Sequence, residues 1–220
     1  MNIQVVGRIE KDVRLLNEAI KKEGCTLSAR PDVVISLGGD GTFLYSERKY
    51  PGTPKLILRD KSICRKCNHG RLKDLIRSVC SGNLAVDCYS KVEAKANGAK
   101  LVGANDIIIR NSRPYHALRF TLEAEGVNCD YIGDGIVAAT AFGSGGYYHS
   151  ITKKGFRKGM GIALNNPTVK AGPFRSDWAR VRILRNRAIV CADNNPRTVT
   201  VNEGDKIIIR ISKEVSRIIR

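Results

Sequence analysis

Long apolar runs are missing from this chain. Its apolar stretches are short, such as Ile107-Ile108-Ile109 and Ile207-Ile208-Ile209, against the roughly 20 apolar residues that span a bilayer. A secretory leader is missing too: Met1-Asn2-Ile3-Gln4-Val5-Val6-Gly7 has no basic residue ahead of an apolar stretch and reads as a first strand. Both absences predict a cytoplasmic protein with no membrane partner. Acidic residues are scarce: 21 Asp and Glu face 38 Lys and Arg, a net charge of +17. That excess concentrates polyanions near the surface, which admits nucleic acid, ATP, polyphosphate and dinucleotides as partners. The plain alternative is a solvated basic surface. Seven cysteines cannot all pair, and free thiols are the default in a reducing cytosol. The remaining composition, 42% apolar and 27% charged, is that of an ordinary globular chain. At 220 residues it buries a core without a metal or disulfide staple.

Two patterns divide the chain. Residues 3–7 are apolar, and Val13, Leu16 and Ile20 recur at helical spacing over 10–23, with Gly24 placed to end that helix. Asp32 to Leu37 is a nearly continuous β-branched run, suited to a strand buried on both faces of a parallel sheet. Lys55 to Leu58 reads as another strand and 71–81 as a helix. This alternation predicts an α/β domain over 1–82. Beyond it come short strand-like runs at 101–102, 105–110, 117–124, 136–139, 179–184, 188–192, 198–201 and 206–211, divided by turn residues. They predict an all-β domain over 83–205, with 206–220 returning to the first domain.

Gly38-Gly39-Asp40-Gly41-Thr42 follows the buried strand directly. Glycines there let the backbone turn sharply and approach a ligand. The carboxyl end of a parallel strand is where open α/β sheets bind ligands, and free N–H groups ahead of a helix favour phosphate. Thr42 is expected near the helix N-cap. Asp40 is the odd residue, since a carboxylate repels phosphate. It either caps the helix, binds a metal ion that carries the phosphates, or takes a proton from an attacking hydroxyl. The motif is neither a P-loop nor a Gly-x-Gly-x-x-Gly fingerprint.

A second glycine–acid turn, Gly133-Asp134-Gly135, precedes Ile136 to Thr140 and then Gly143-Ser144-Gly145-Gly146-Tyr147. With both motifs present, the sequence resembles the NAD kinase family, which carries Gly-Gly-Asp-Gly-Thr, then Asn-Glu, then Gly-Asp-Gly and Thr-Pro-Thr-Gly-Ser-Thr-Ala-Tyr. Asn105-Asp106 stands in the Asn-Glu position, and Ala192-Asp193 and Glu203-Gly204-Asp205 resemble later family turns. The likeness runs over roughly 1–211. Diacylglycerol kinases, sphingosine kinases and phosphofructokinases resemble the first motif but lack the second.

The resemblance implies an α/β N-terminal domain plus an all-β C-terminal domain, with the site between them. It implies transfer of phosphate from ATP or polyphosphate to the 2′-hydroxyl of NAD, helped by Mg²⁺. Asp40 would be the general base, and Gly38, Gly39, Gly41 and Thr42 would line the phosphates. Asn105, Asp106, Thr140, Ser144, Tyr147 and Asp193 would serve the dinucleotide, with Asp134 supporting its loop. A homo-oligomer, dimer or tetramer, is expected. Nucleic acid is not, because that reading gives the two loops no role.

The chain departs from the family at Asp106 (Glu), Ala141 and Phe142 (Pro, Thr), Gly145 and Gly146 (Thr, Ala), and Asn194 (Gly). The Leu-Gly-Phe segment after the fourth strand is replaced by 59–70, which holds Cys64-x-x-Cys67-x-His69. These three have zinc-ligand spacing but lack an adjacent fourth ligand, so a basic loop with ordinary thiols is the competing reading. Arg59, Lys61, Arg65 and Lys66 would steer phosphate. Trp178 is expected in the core, and 155–161 as a loop.

Overall fold

The computed structural model describes residues 1–59, 72–82 and 84–220. The chain divides into two compact units, residues 1–89 with 216–220, and residues 90–215.

The first unit runs β1 (Asn2–Gly7), α1 (Glu10–Lys22), β2 (Thr26–Leu27), β3 (Val33–Leu37), α2 (Asp40–Lys49), β4 (Lys55–Leu58), α3 (Leu72–Ser81) and the start of β5 (Val86–Ala96). Its strands are parallel in the order β2-β1-β3-β4. Val33 to Ser36 are buried, as a β-branched run between two layers requires. Helix α1 covers this sheet with Leu16 and Ile20, each contributing about 1.5–3 kcal/mol by burial. Glu23 is its C-cap, and Gly24 follows at φ +79°, the left-handed position that favours glycine.

The second unit contains β6 (Ala99–Gly103), β7 (Asp106–Asn111), β8 (Leu118–Ala124), β9 (Val127–Gly133), β10 (Gly135–Thr140), a 3₁₀ turn (Gly143–Gly145), α4 (Tyr147–Thr152), β11 (Met160–Asn165), β12 (Phe174–Arg175), β13 (Trp178–Arg185), β14 (Ala188–Ala192), β15 (Val199–Val201) and most of β16 (Lys206–Ile219). Two antiparallel sheets, β16-β13-β8-β9 and β12-β11-β10-β7-β14-β15, enclose one core that includes Phe120, Ile107, Ile136, Val181 and Ile207. The expectation of a β-rich second unit therefore holds, with helix α4 and strands β9, β11 and β12 added to the runs read from the sequence and three readings changed. The 155–161 loop is shorter than read, because Met160 and Gly161 already belong to β11. The last strand reaches Ile219, not 211. Trp178 is 41% exposed. It occupies an outward position of β13, opposite Arg210 on β16. Among the described residues, no helix is long and apolar enough to cross a membrane.

Candidate active site

In the first unit the site begins where β3 stops. The Gly38 N–H donates to the Leu58 carbonyl (2.9 Å), tying the turn to the end of β4. Gly38 has φ +146°, and a Cβ there would stand 2.5 Å from Thr42 Oγ1. Only glycine makes this turn without strain. Helix α2 starts earlier than the sequence suggests: Gly39 is its N-cap and Asp40 its first residue. Thr42 therefore lies inside the first turn, buried, and is not the cap. Asp40 is past the cap position, so the capping reading fails, and its carboxylate is exposed at the helix start.

Behind this helix, Glu47 and Lys55 form a buried ion pair (2.6 Å), and Lys55 Nζ also donates to the Tyr50 carbonyl. The pair fixes α2 to the first residue of β4. Beside the turn is a cavity of about 280 Å³ lined by Arg8, Ile9, Asp12, Leu37, Gly38, Gly39, Gly41 and Thr42. Arg59 approaches the turn too: its Nη2 is 3.6 Å from where a Cβ of Gly39 would sit. Lys61, Arg65 and Lys66, and the candidate zinc ligands Cys64, Cys67 and His69, lie outside the described residues. Among the described residues, no group of three or more His, Cys, Asp or Glu is placed to hold a metal ion.

In the second unit, one hydrogen-bonded assembly gathers most of the residues singled out there. The Asp193 carboxylate, in a left-handed turn at φ +52°, accepts the N–H groups of Ala104 (2.8 Å), Asn105 (2.7 Å) and Asp106 (3.1 Å). Burial pushes its carboxyl above the ordinary range, while those three donors pull the other way. Thr140 Oγ1 donates to the Ala104 carbonyl (2.7 Å) and accepts the Gly143 N–H (2.9 Å). The Thr140 N–H donates to the Asn105 carbonyl (2.8 Å). A Cβ on Gly143 would lie 2.1 Å from that same carbonyl, so glycine is required by close approach. Ser144 Oγ donates to the Ala141 carbonyl (2.9 Å) and accepts the Phe156 N–H (3.2 Å). Tyr147 accepts a hydrogen bond from Asn165 Nδ2 (3.0 Å).

Asn105 is 6% exposed, and its Oδ1 has no hydrogen-bond partner among the described residues. A buried amide oxygen left without a donor costs about 1–3 kcal/mol, so this atom suits a ligand.

Asp134 stands apart from that assembly. It joins β9 to β10 in a one-residue corner and faces Asn111 and Asn166 (3.3 Å each). Thr140 is at the opposite end of β10, roughly 20 Å away at the rise of an extended strand. Asp205 shapes the β15–β16 turn by accepting the Asn202 N–H (2.8 Å), which with Asn97 lowers its carboxyl below the ordinary range.

Sequence reasoning missed Arg8 and Asp12. The signal was present: Arg8 directly follows β1, at the same carboxyl edge of the parallel sheet as the Gly38 turn.

An α/β unit bearing a glycine–acid turn, followed by a two-sheet β unit, defines the class. Within it, the chain is 24% identical over 209 residues to an NAD kinase of Archaeoglobus fulgidus, covering 86% of this chain and 77% of that protein. It is 26% identical over 144 residues to an NAD kinase of Sulfurisphaera tokodaii, covering 63% of this chain and 57% of that protein. Among solved structures it superposes on the A. fulgidus NAD kinase in complex with ATP (TM-score 0.85, 20% identity, 100% of this chain and 94% of that one). It also superposes on yeast NADH kinase complexed with NADH (TM-score 0.83, 14% identity, 100% and 83%). No protein-family profile matches the chain. The chain thus has the NAD kinase fold, and the resemblance to that family read from its motifs is borne out by relatives of that name.

Proposed function

We propose that this protein is an NAD kinase, transferring the terminal phosphate of ATP or polyphosphate to the 2′-hydroxyl of NAD to make NADP. The observation that most supports this reading is Asp40: an exposed carboxylate on the first helical turn, directly after a turn that requires glycine, with a cavity beside it. On this reading Asp40 accepts the hydroxyl proton as the oxygen attacks phosphorus. The new P–O bond forms while the bond to the donor's bridging oxygen breaks, and ADP or a shortened polyphosphate leaves. Gly38, Gly39, Gly41 and Thr42 line the donor phosphates at the start of α2, where the helix dipole favours negative charge. Asn105, Asp106, Thr140, Ser144 and Tyr147 serve the dinucleotide, with the unmatched Asn105 Oδ1 as an acceptor for it. Asp193 acts by holding the 104–106 backbone, and Asp134 by bracing its corner.

Mg²⁺ enters as part of the donor. The carboxylates beside the turn, Asp12 and Asp40, are too few for a resident site and suit an ion already carried by phosphates. The protein acts in the cytoplasm as a homo-oligomer, dimer or tetramer, which light scattering of the purified protein checks.

The experiment is NADP formation from NAD with ATP or polyphosphate and Mg²⁺; no product with either donor removes the assignment. A second reading keeps phosphoryl transfer and changes the hydroxyl acceptor. It is favoured by the departures at Ala141, Phe142, Gly145 and Gly146, and a screen of hydroxyl acceptors separates the two.

A further inference from the structure

The cavity beside the Gly38 turn holds a charged side chain that the reading above leaves idle, Arg8, and next to it Asp12. Arg8 follows the last residue of β1, and Asp12 lies in the first turn of α1. Gly7 keeps this corner tight, since a Cβ there would stand 2.7 Å from Val13 Cγ2 and 3.3 Å from the Leu37 carbonyl. The cavity is therefore walled by the ends of two adjacent parallel strands, β1 and β3. Arg8 takes part in no ion pair among the described residues, its cavity neighbour Asp12 included. A guanidinium beside a glycine turn that opens a helix matches a phosphate, which it grips with two parallel donors.

Size narrows the ligand. At about 280 Å³ the cavity is at or below the lower end of pockets that enclose drug-sized ligands, about 300–1,000 Å³. That size suits a phosphate chain better than a whole nucleotide. Among the described residues its large apolar side chains are Ile9 and Leu37, with no aromatic ring for a base to stack on.

We propose that Arg8 is a donor-binding residue: with the 38–42 turn it holds the phosphate chain of the donor, and the cavity recognises that chain without its nucleoside. Asp12 takes the divalent cation that accompanies the chain and repels a chain without one. This inference rests on the kinase reading for the word donor, while the binding it describes does not depend on turnover.

The test is calorimetric binding of inorganic tripolyphosphate to the full chain, using wild type, R8A, R8K and D12N, with and without Mg²⁺. Wild type is expected to bind it with Mg²⁺, R8A at least tenfold more weakly, and R8K in between because a point charge replaces the fork. With divalent ions chelated, D12N is expected to bind more tightly than wild type. Arg8 is exposed and Asp12 is half-buried at the surface of α1, so folding should survive, and circular dichroism checks it. No binding by wild type, or equal binding by R8A, overturns the proposal; an unchanged D12N affinity overturns the part given to Asp12. Assayed as kinases, R8A should raise KM for ATP and leave KM for NAD unchanged. If tripolyphosphate binds through Arg8 and no NADP forms, the kinase reading fails and this one stands.

Discussion

Glu93 offers a quantitative test of the second unit. It is 3% exposed. Its Oε1 accepts from Arg210 Nε (2.7 Å), and its Oε2 accepts from Ser212 Oγ (2.8 Å) and lies 3.2 Å from Lys100 Nζ. Burial alone would raise this carboxyl, but the Arg210, Ser212 and Lys100 donors together outweigh it and hold it at about 2 instead of the ordinary 4.5. A carboxylate lowered by folding adds stability above its unfolded value, near 4.5, and loses it as pH falls toward about 2. The lowering corresponds to at most about 3 kcal/mol. The side chains of Arg210 and Lys100 are 54% and 45% exposed, so water screens them, and about 2 kcal/mol is the better figure. E93Q keeps the volume and removes the charge. It should lose about 2 kcal/mol at pH 7, and the gap to wild type should shrink by roughly half between pH 4.5 and pH 3. Urea unfolding read by tryptophan fluorescence is the assay, because the single tryptophan, Trp178, lies on β13 in the same unit. A gap that stays constant with pH, or no gap at pH 7, would refute the argument.

Three other perturbations have defined outcomes. D40N should fold normally, because its side chain is exposed, and lose about two orders of magnitude or more in turnover; near-normal NADP formation removes the base role. K55M strands Glu47 in the interior and should cost about 3–5 kcal/mol in urea unfolding, while the double variant K55M/E47L should recover most of that loss. D193A leaves three backbone N–H groups without their acceptor, so it should cost on the order of 3 kcal/mol and increase hydrogen exchange at 104–106.

Elements whose burial is set by local pattern were legible in the sequence. The β-branched run ending at Leu37, the helical spacing of Leu16 and Ile20, and Ala188–Ala192 all read correctly, because their own side chains make the core. Strand β9 was not legible: Asn128, Cys129 and Asp130 are exposed, and it is a strand because it sits at a sheet edge opposite β8. The end of β16 was missed for a related reason, since Lys213 and Glu214 face outward and only Ile218 and Ile219 return to a core. In the site, glycine turns announced themselves through residue type. Arg8 did not, because among many arginines in a chain of charge +17 only its place directly after the first strand sets it apart.

The 140–147 loop separates what a motif specifies about shape from what it specifies about ligand. The residues that match the family pattern, Thr140, Gly143 and Ser144, are those whose hydrogen bonds or close approach hold the loop against 104–105 and 156. Removing any of them costs a buried hydrogen bond or forces a clash with the Asn105 carbonyl, so they persist whatever the loop binds. The departures fall mostly elsewhere. Gly145 is exposed, and a Cβ there would meet no atom within 4 Å. At Gly146 a Cβ would meet only the Gly143 carbonyl, at 3.3 Å. Gly145 bears no structural duty that threonine could not also meet, and alanine at 146 asks only a shift of a few tenths of an ångström from that carbonyl. The matching residues therefore speak for the shape of the loop, and the identity of its ligand rests on the open positions beside them. G145T and G146A, which restore the family residues at little structural cost, should leave stability unchanged. If NAD is the acceptor, they should lower KM for it; if another hydroxyl is, they should weaken that acceptor's turnover, and the acceptor screen reads the difference.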